Sequence, residues 1–546
     1  MTFELETVDD LIAAGNSSLA ESAWEEARRC YESALDREES VKAWEGLAVA
    51  TSWLGDTDAS LAAREHAFRA HRSAGNTGGA MRMAGWLAND ALHFRGDDAI
   101  AAGWLERGRS LVADERTSPD YGWLLVNEAY YALEVNSDPA AAAGKAREAA
   151  ALGTRFGVPD LEAIGLAIDG AAAVIEGRVD EGLRRLDQAA AVSASEKFLL
   201  PISPAWALCI MIVVCERLGD FGRVAQWCEA MRLMGERLNG RHLIGVCRSS
   251  YGQVLACRGE WPKAEVELVA ALGDLEAMRP GMAPDGLARL GELRARQGRT
   301  DEARAMFERA GAHRGALVGL GALALDRGDA REAADIAERV LRRIGDAAPI
   351  DRVPALELLA RARAADGDLD AANGALEQLK RTVHGLRTPY LRGRVRLVVG
   401  EVAELSGEHE EARRCLEDAL DLFAESAAPY EGALARLALS RVLASQGRDD
   451  AAAAEAEVAR DVFTRLGATR DASKSGDSAA AVLGELTPRE REVLKLVAQG
   501  LSDAAIAERL VVSPHTVHRH VANVRTKLRL PSRAAAVAYA TREGLL

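Results

Sequence analysis

Close to its end, this 546-residue chain gathers the side chains best suited to gripping a polyanion: His515, His518, Arg519, His520, Arg525 and Lys527. The same stretch places Val517, Val521, Val524 and Leu528 at spacings of four, three and four, which is one stripe of an α-helix. Opposite that stripe lie His515, Arg519, Ala522 and Thr526, flanked by His518 and Arg525. A cationic helix face with small residues fits the major groove of DNA, which is wide enough to admit a helix. An ordinary surface helix with a solvated polar face has the same pattern, so the neighbouring elements must decide.

Those elements read as a four-helix unit. Thr487 is an N-cap, Pro488 suits the first helical position and Glu490 completes a capping box. Gly500 ends that helix. Ser502 caps a short second helix, Asp503 to Leu510, and Val511-Val512 makes a tight turn. Ser513 caps the third helix, with Pro514 at its first position, and Pro531 limits it to about Leu528. Ser532 caps a fourth helix, from Arg533 to about Thr541. A short helix, a tight turn and a cationic helix together form a helix-turn-helix, and in that context the cationic face is read as a DNA-binding surface.

The charge distribution agrees. Residues 486–546 hold ten Lys/Arg against five Asp/Glu, a net +5, whereas the whole chain carries −15 and the remainder therefore −20. A basic module on an acidic body is what results when only one end meets phosphate.

The segment resembles the LuxR-type (GerE/NarL-type) helix-turn-helix domain. That family reads approximately L-T-x-R-E-x-E-V-L, G-x-S-N-K-E-I-A, L-x-[IV]-S-x-x-T-V-K-x-H and K-L. The chain matches at Leu486, Thr487, Arg489, Glu490, Glu492, Val493, Leu494, Gly500, Ser502, Ile506, Ala507, Leu510, Val512, Ser513, Thr516, Val517, His520, Lys527 and Leu528. It departs where Asp503-Ala504-Ala505 replaces N-K-E and where His518 replaces the common Lys. The resemblance implies base contacts at His518, Arg519 and Ala522. It implies phosphate contacts at Ser502, Ser513, Thr516, His520, Arg525 and Lys527. Arg519 is the main candidate base reader, since a guanidinium can bond guanine bidentately, while Ala522 offers only apolar contact such as a thymine methyl. The resemblance further implies a homodimer on double-stranded DNA, paired through the fourth helix. Val537 and Tyr539 could supply that contact or instead pack on their own domain.

The other 480 or so residues carry a different signal. Alanine, leucine, glutamate and arginine dominate, proline is scarce at 15 residues, and no strand-like alternation bounded by turns stands out. The predicted class is all-α. A turn punctuation of the form G-[DER]-x-x-x-A recurs at Gly55, Gly96, Gly177, Gly219, Gly259, Gly298, Gly328, Gly367, Gly407 and Gly447, with weaker copies near Ser22 and Ser137. From Gly177 the spacings are 42, 40, 39, 30, 39, 40 and 40 residues. A period of that size predicts a solenoid of stacked helix pairs. The units Leu290-Gly291, Gly298-Arg299, Ala303, Phe307, Ala310 and Leu320-Gly321, Gly328-Asp329, Ala333, Ala337, Val340 resemble tetratricopeptide (TPR) repeats. They are longer than the standard ~34 residues and mostly lack the usual proline. Trp24 and Trp261 fall two residues after a turn, as do Phe221 and Leu369, a position predicted to pack against a neighbouring repeat.

The expected organisation is therefore a TPR-like solenoid over 1–466, a flexible Gly/Ala/Ser-rich linker over 467–485 and the DNA-binding unit over 486–546. Seven cysteines lack any CxxC spacing and read as buried thiols, five of them clustered between Cys209 and Cys257. The longest apolar run, Ala205 to Cys215, is too short to span a bilayer, and the acidic N-terminus does not look like a signal peptide. The expected location is the cytoplasm, on the nucleoid when active, without membrane contact. No G-x-x-x-x-G-K-[ST], H-E-x-x-H or G-x-S-x-G pattern occurs, so neither an enzyme nor a cofactor or metal site is expected. The chain resembles the regulatory half of large LuxR-type activators without their ATPase. The expected function is a transcription regulator whose solenoid binds a protein or small-molecule effector and controls pairing or exposure of the helix-turn-helix, with RNA polymerase as a further partner. The rival reading is a TPR interaction scaffold whose helix-turn-helix does not read bases.

Overall fold

The computed structural model describes residues 7–475 except 113–115, 196–197, 201, 239–240 and 385–387, and residues 488–542 except 511, 528–529 and 531; a few side chains beside these gaps are also left out. Every described element is helical.

The punctuation sets the helix boundaries. All ten glycines of the turn motif have positive φ, and so do Ser22 at 58° and Ser137 at 53°, the two weaker copies. A left-handed residue there reverses the chain between paired helices, a conformation glycine adopts without a Cβ penalty. The residue that follows often caps the next helix: Asp56, Asp97, Asp220, Asp329 and Asp368 each accept a backbone N–H three residues on.

The helices pair with their sequence neighbours, and from Thr77–Asp90 onward alternate helices also stack on one another to form an inner layer. Thr77–Asp90, Pro119–Glu134, Pro159–Ile175, Ile202–Leu218 and Pro349–Ala365 belong to it. Helix Pro159–Ile175 is buried nearly all round, as a helix packed on several sides must be. The apolar run Ala205 to Cys215 lies in another inner helix, not in a membrane segment. No described helix is long and apolar enough to cross a membrane. Prolines 119, 159, 349, 389 and 429 each open an inner helix at its start, and within each group they recur every 40 residues. Proline thus marks repeat boundaries more regularly than the sequence comparison with TPR units indicates.

The coil also closes on itself. Trp24 stacks on Trp53 at 4.4 Å between ring centroids and donates its Nε1 hydrogen to the Leu238 carbonyl at 2.9 Å, 214 residues away. Phe221 meets Tyr390 at 4.8 Å. Buried ion pairs make the same jump: Arg217 reaches Asp351, whose side chain is only 4% exposed and which also holds Arg314 of the adjoining repeat, and Arg296 reaches Glu431 at 3.1 Å. The first-turn aromatic positions therefore pack well beyond the adjacent repeat, at Trp24 and Phe221 at least. Trp261 makes the same jump to Tyr430 at 5.5 Å, while its indole donates to the nearby Ala256 carbonyl.

The stretch read as a linker from Gly467 begins differently. Residues 469–475 are helical, and Ala468 and Ser475 are fully buried. Thr469 bonds the Gln297 carbonyl at 3.1 Å, Arg470 pairs with Asp326 at 2.6 Å, and the Tyr430 hydroxyl donates to Asp471 at 2.9 Å. Composition alone reads this segment as loose; a buried aspartate and a paired arginine anchor it. Residues 476–485 of the expected linker lie outside the described residues.

Candidate nucleic-acid interface

The C-terminal unit comprises Pro488–Ala498, Asp503–Leu510, Pro514–Lys527 and Arg533–Arg542. Its first helix packs on the third and fourth, and the second on the third. Three caps read from the sequence are formed. Ser502 Oγ accepts from the Ala505 N–H at 3.3 Å, Ser513 Oγ from Thr516 at 3.1 Å and Ser532 Oγ from Ala535 at 3.1 Å. Gly500 has φ +82° and ends the first helix. Leu486, Thr487, Val511, Leu528 and Pro531 lie outside the described residues.

The third helix has the two faces expected. Val517, Val521 and Val524 are buried with Val493, Leu494, Val497 and Ile506. His515, His518, Arg519 and Ala522 are exposed on the opposite side. Arg519 makes no ion pair among the described residues, so its guanidinium is directed to solvent. His518 lies with Nδ1 3.4 Å from an Asp503 carboxylate oxygen.

The residues expected at phosphate fall into several environments. Ser502 and Ser513 are exposed cap residues, and the Ser513 and Thr516 hydroxyls lie 2.8 Å apart. A hydroxyl oxygen that accepts a capping bond retains its own hydrogen to donate. His520 is half-buried, and its Nδ1 is buried without a hydrogen-bond partner. Arg525 is half-buried and donates its Nε hydrogen to the Leu530 carbonyl at 3.3 Å, closing the turn after the third helix. Lys527 ends that helix, but its side chain lies outside the described residues. Val537 and Tyr539 are half-buried against their own domain, Val537 beside Val493 and Val517 and Tyr539 beside Leu494, Val524 and Ala536. Of the two roles open from sequence, packing within the domain is the one observed.

Two arginines and an aspartate emerge that the sequence left without a role. Arg489 donates to the Leu510 carbonyl at 2.7 Å, capping the end of the second helix. Arg533 donates to the Leu501 carbonyl at 2.6 Å and pairs with Asp503. Asp503 thus stands between Arg533 and His518, locking the fourth helix to the second while setting a negative charge beside a candidate base reader. Its sequence signal was its place in the N-K-E departure.

An exposed, cation-bearing helix after a short helix and a tight turn defines a helix-turn-helix DNA-binding unit. Residues 484–540 match the family described as "Bacterial regulatory proteins, luxR family". A Mycobacterium tuberculosis protein named as an HTH-type transcriptional regulator is 54% identical over 61 residues, 11% of this chain and 7% of that protein. The nitrate/nitrite response regulator NarL of Escherichia coli is 44% identical over 61 residues, 11% of this chain and 28% of that protein. The chain thus spans under a third of the length of these relatives, all of it in the DNA-binding unit. Among solved structures, a TPR protein of Thermus thermophilus is 24% identical over 35% of this chain and 98% of its own, with a TM-score of 0.28. The Cut9–Hcn1 assembly gives 12% over 86% of this chain and 96% of its own, with a TM-score of 0.35. Likenesses of that degree carry no argument about function. The solenoid stands on its own helix pairs, and the C-terminal unit is a LuxR-type helix-turn-helix domain.

Proposed function

We propose that the protein is a sequence-specific DNA-binding transcription regulator, with the solenoid as the part that senses a protein or small-molecule effector. The observation that carries this is the free, exposed Arg519 on the face opposite Val517, Val521 and Val524. In this reading Arg519 is the main base reader, with His518 and Ala522 beside it. Ser502, Ser513, Thr516, His520, Arg525 and Lys527 position the unit on phosphates. Two chains bind one site as a dimer, and linked half-sites gain from effective concentration, so a small change in pairing alters DNA occupancy sharply. Val537 and Tyr539 contribute to pairing through the shape of the fourth helix they anchor. RNA polymerase is a further partner on DNA, and the cytoplasm, with the nucleoid, is the place of action.

Selection of genomic fragments by the full chain at two salt concentrations tests this. A shared motif should emerge, and Arg519→Ala should cost about 1–3 kcal/mol at one base position. If no motif enriches, or the variant selects the same sequences with the same affinity, base reading fails and the scaffold reading replaces it.

A further inference from the structure

Inside the coil is a partly enclosed cavity of ≈ 150 Å³, lined by Trp53, Met83, Trp86, Tyr130, Trp206 and Arg279. A void of roughly that volume admits a single benzene-sized ring. The walls form an aromatic box: Trp86 and Trp206 centroids are 5.9 Å apart, and Tyr130 meets Trp206 edge-on at 5.5 Å. Rings at such separations offer flat faces and edges to a third ring.

The box contains polar atoms that the protein leaves unmatched. Trp206 Nε1, Arg64 Nη1 and Asp90 Oδ2 are buried with no hydrogen-bond partner in the protein, although their residues are only 9, 7 and 3% exposed. Arg64 Nε lies 3.2 Å from Asp90 Oδ2, an ion pair without hydrogen-bond alignment. Buried polar groups are nearly always matched in native proteins, so the two unmatched donors at one cavity, Trp206 Nε1 and Arg64 Nη1, point to a ligand that brings acceptors. Arg279 has no carboxylate within ion-pair distance among the described residues, and its guanidinium stands 5.9 Å from the Phe94 ring. Arg64 has Asp90 as its carboxylate, so Arg279 is the lining arginine left without one among the described residues. Arg82, also at the wall, is already committed to Glu45 and Asp120.

The backbone is unusual at the same place. Residues Ala91–Arg95 form a π-helical turn, a rare element often found at functional sites, and it brings His93 and Phe94 to the cavity. The short turn after Arg279 interlocks with it, so closely that a Cβ on Gly281 would lie 2.0 Å from the Leu92 carbonyl oxygen. Arg279 is thereby fixed over the box from a distant part of the chain.

We propose that this cavity is a ligand site for a small aromatic carboxylate, its ring packed against the Trp86–Trp206 pair and its carboxylate on Arg279. A neutral ring would leave Arg279 without an anionic partner, and a cationic one would meet Arg64 and Arg279. Because the walls come from residues 45–94, from Tyr130 and from 200–282, an occupant fastens separated parts of the coil together. That coupling rests on the reading of the protein as an effector-controlled regulator.

The test titrates the full chain with benzoate, benzamide and benzylammonium, read by tryptophan fluorescence and calorimetry. Benzoate should bind saturably at one site, at least about tenfold tighter than benzamide, and benzylammonium more weakly still, a discrimination that needs no variant. Arg279→Gln should lower benzoate affinity about tenfold or more and leave benzamide unchanged, with Arg279→Lys restoring part of the loss. Absent saturable benzoate binding, equal binding of all three probes, or indifference to Arg279→Gln would overturn the site. A separate arm compares affinity for the selected DNA with and without benzoate. If benzoate binds as expected and DNA affinity does not move, the site stands and effector control of DNA binding is what fails.

Discussion

The solenoid and the DNA-binding unit treat charge in opposite ways. Where the solenoid closes on itself, largely buried arginines are matched, the cavity's Arg279 aside: Arg217 reaches Asp351, Arg296 reaches Glu431, and Arg289 pairs with Glu216. In the C-terminal unit the arginines that matter to fold, Arg489 and Arg533, cap helix ends, while Arg519 is left in solvent. The same residue type is a structural fastener where it is matched and a recognition group where it is free. Matching, more than identity, separates the two regions.

Breaking a match should show the largest effect. Asp351→Ala leaves the largely buried Arg217 with Glu134 alone and the half-buried Arg314 without its carboxylate, and should destabilise the solenoid by about 1–3 kcal/mol. Chemical unfolding followed by tryptophan fluorescence measures this, since all nine tryptophans lie before residue 262. If the loss is under about 1 kcal/mol, the pair behaves as a surface bridge and the contrast between regions weakens.

A second test uses pH. Burial first, and the charge of Arg279 second, push His93 down to about 3. The folded state therefore binds fewer protons than the unfolded one between pH 6.5 and 3. Stability is fully present above the unfolded value near 6.5 and falls as pH drops, by about 1.4 kcal/mol per pH unit from this group. Urea titrations of wild type and His93→Gln between pH 7 and 5 should converge toward acid, the variant losing less. Parallel curves would show that His93 does not hold a neutral ring. The π-turn and the Tyr130 hydroxyl, 3.2 Å from Nε2, would then need another account.

The smallest expected change is the most specific. Asp503→Asn removes the carboxylate beside His518 and should tighten DNA binding by about 0.5–1 kcal/mol at low salt, with the gain shrinking as salt rises. It also breaks the Arg533 pair, so a slight loss of thermal stability should accompany the gain. Weaker DNA binding at unchanged folding would mean that Asp503 orients His518 toward DNA.

What was legible in the sequence follows locality. Ser22 and Ser137 were readable as turns, because a left-handed residue leaves its mark within a few positions. The caps at Ser502, Ser513 and Ser532 were readable for the same reason. The pairing of Trp24 with Leu238 was not, because it depends on small rotations summed over many repeats. Nor was the docking of 469–475, whose partners Gln297 and Asp326 lie over 140 residues earlier. At the interface, the two faces of the third helix were legible from spacing. The half-burial of His520, Arg525, Val537 and Tyr539 was not, since neighbouring helices decide which flank of a helix is covered.

The contacts between separated parts of the coil bear on how the molecule comes apart. A solenoid whose repeats touch only their neighbours can fray from either end, each unit melting on its own terms. Here Trp24 in the second helix leans on Leu238, and Asp471 in the last short helix receives the Tyr430 hydroxyl while Arg470 reaches back to Asp326. Neither end is loose. Trimming residues 468–475 would withdraw support from units far upstream, so this repeat protein should melt as a single cooperative body.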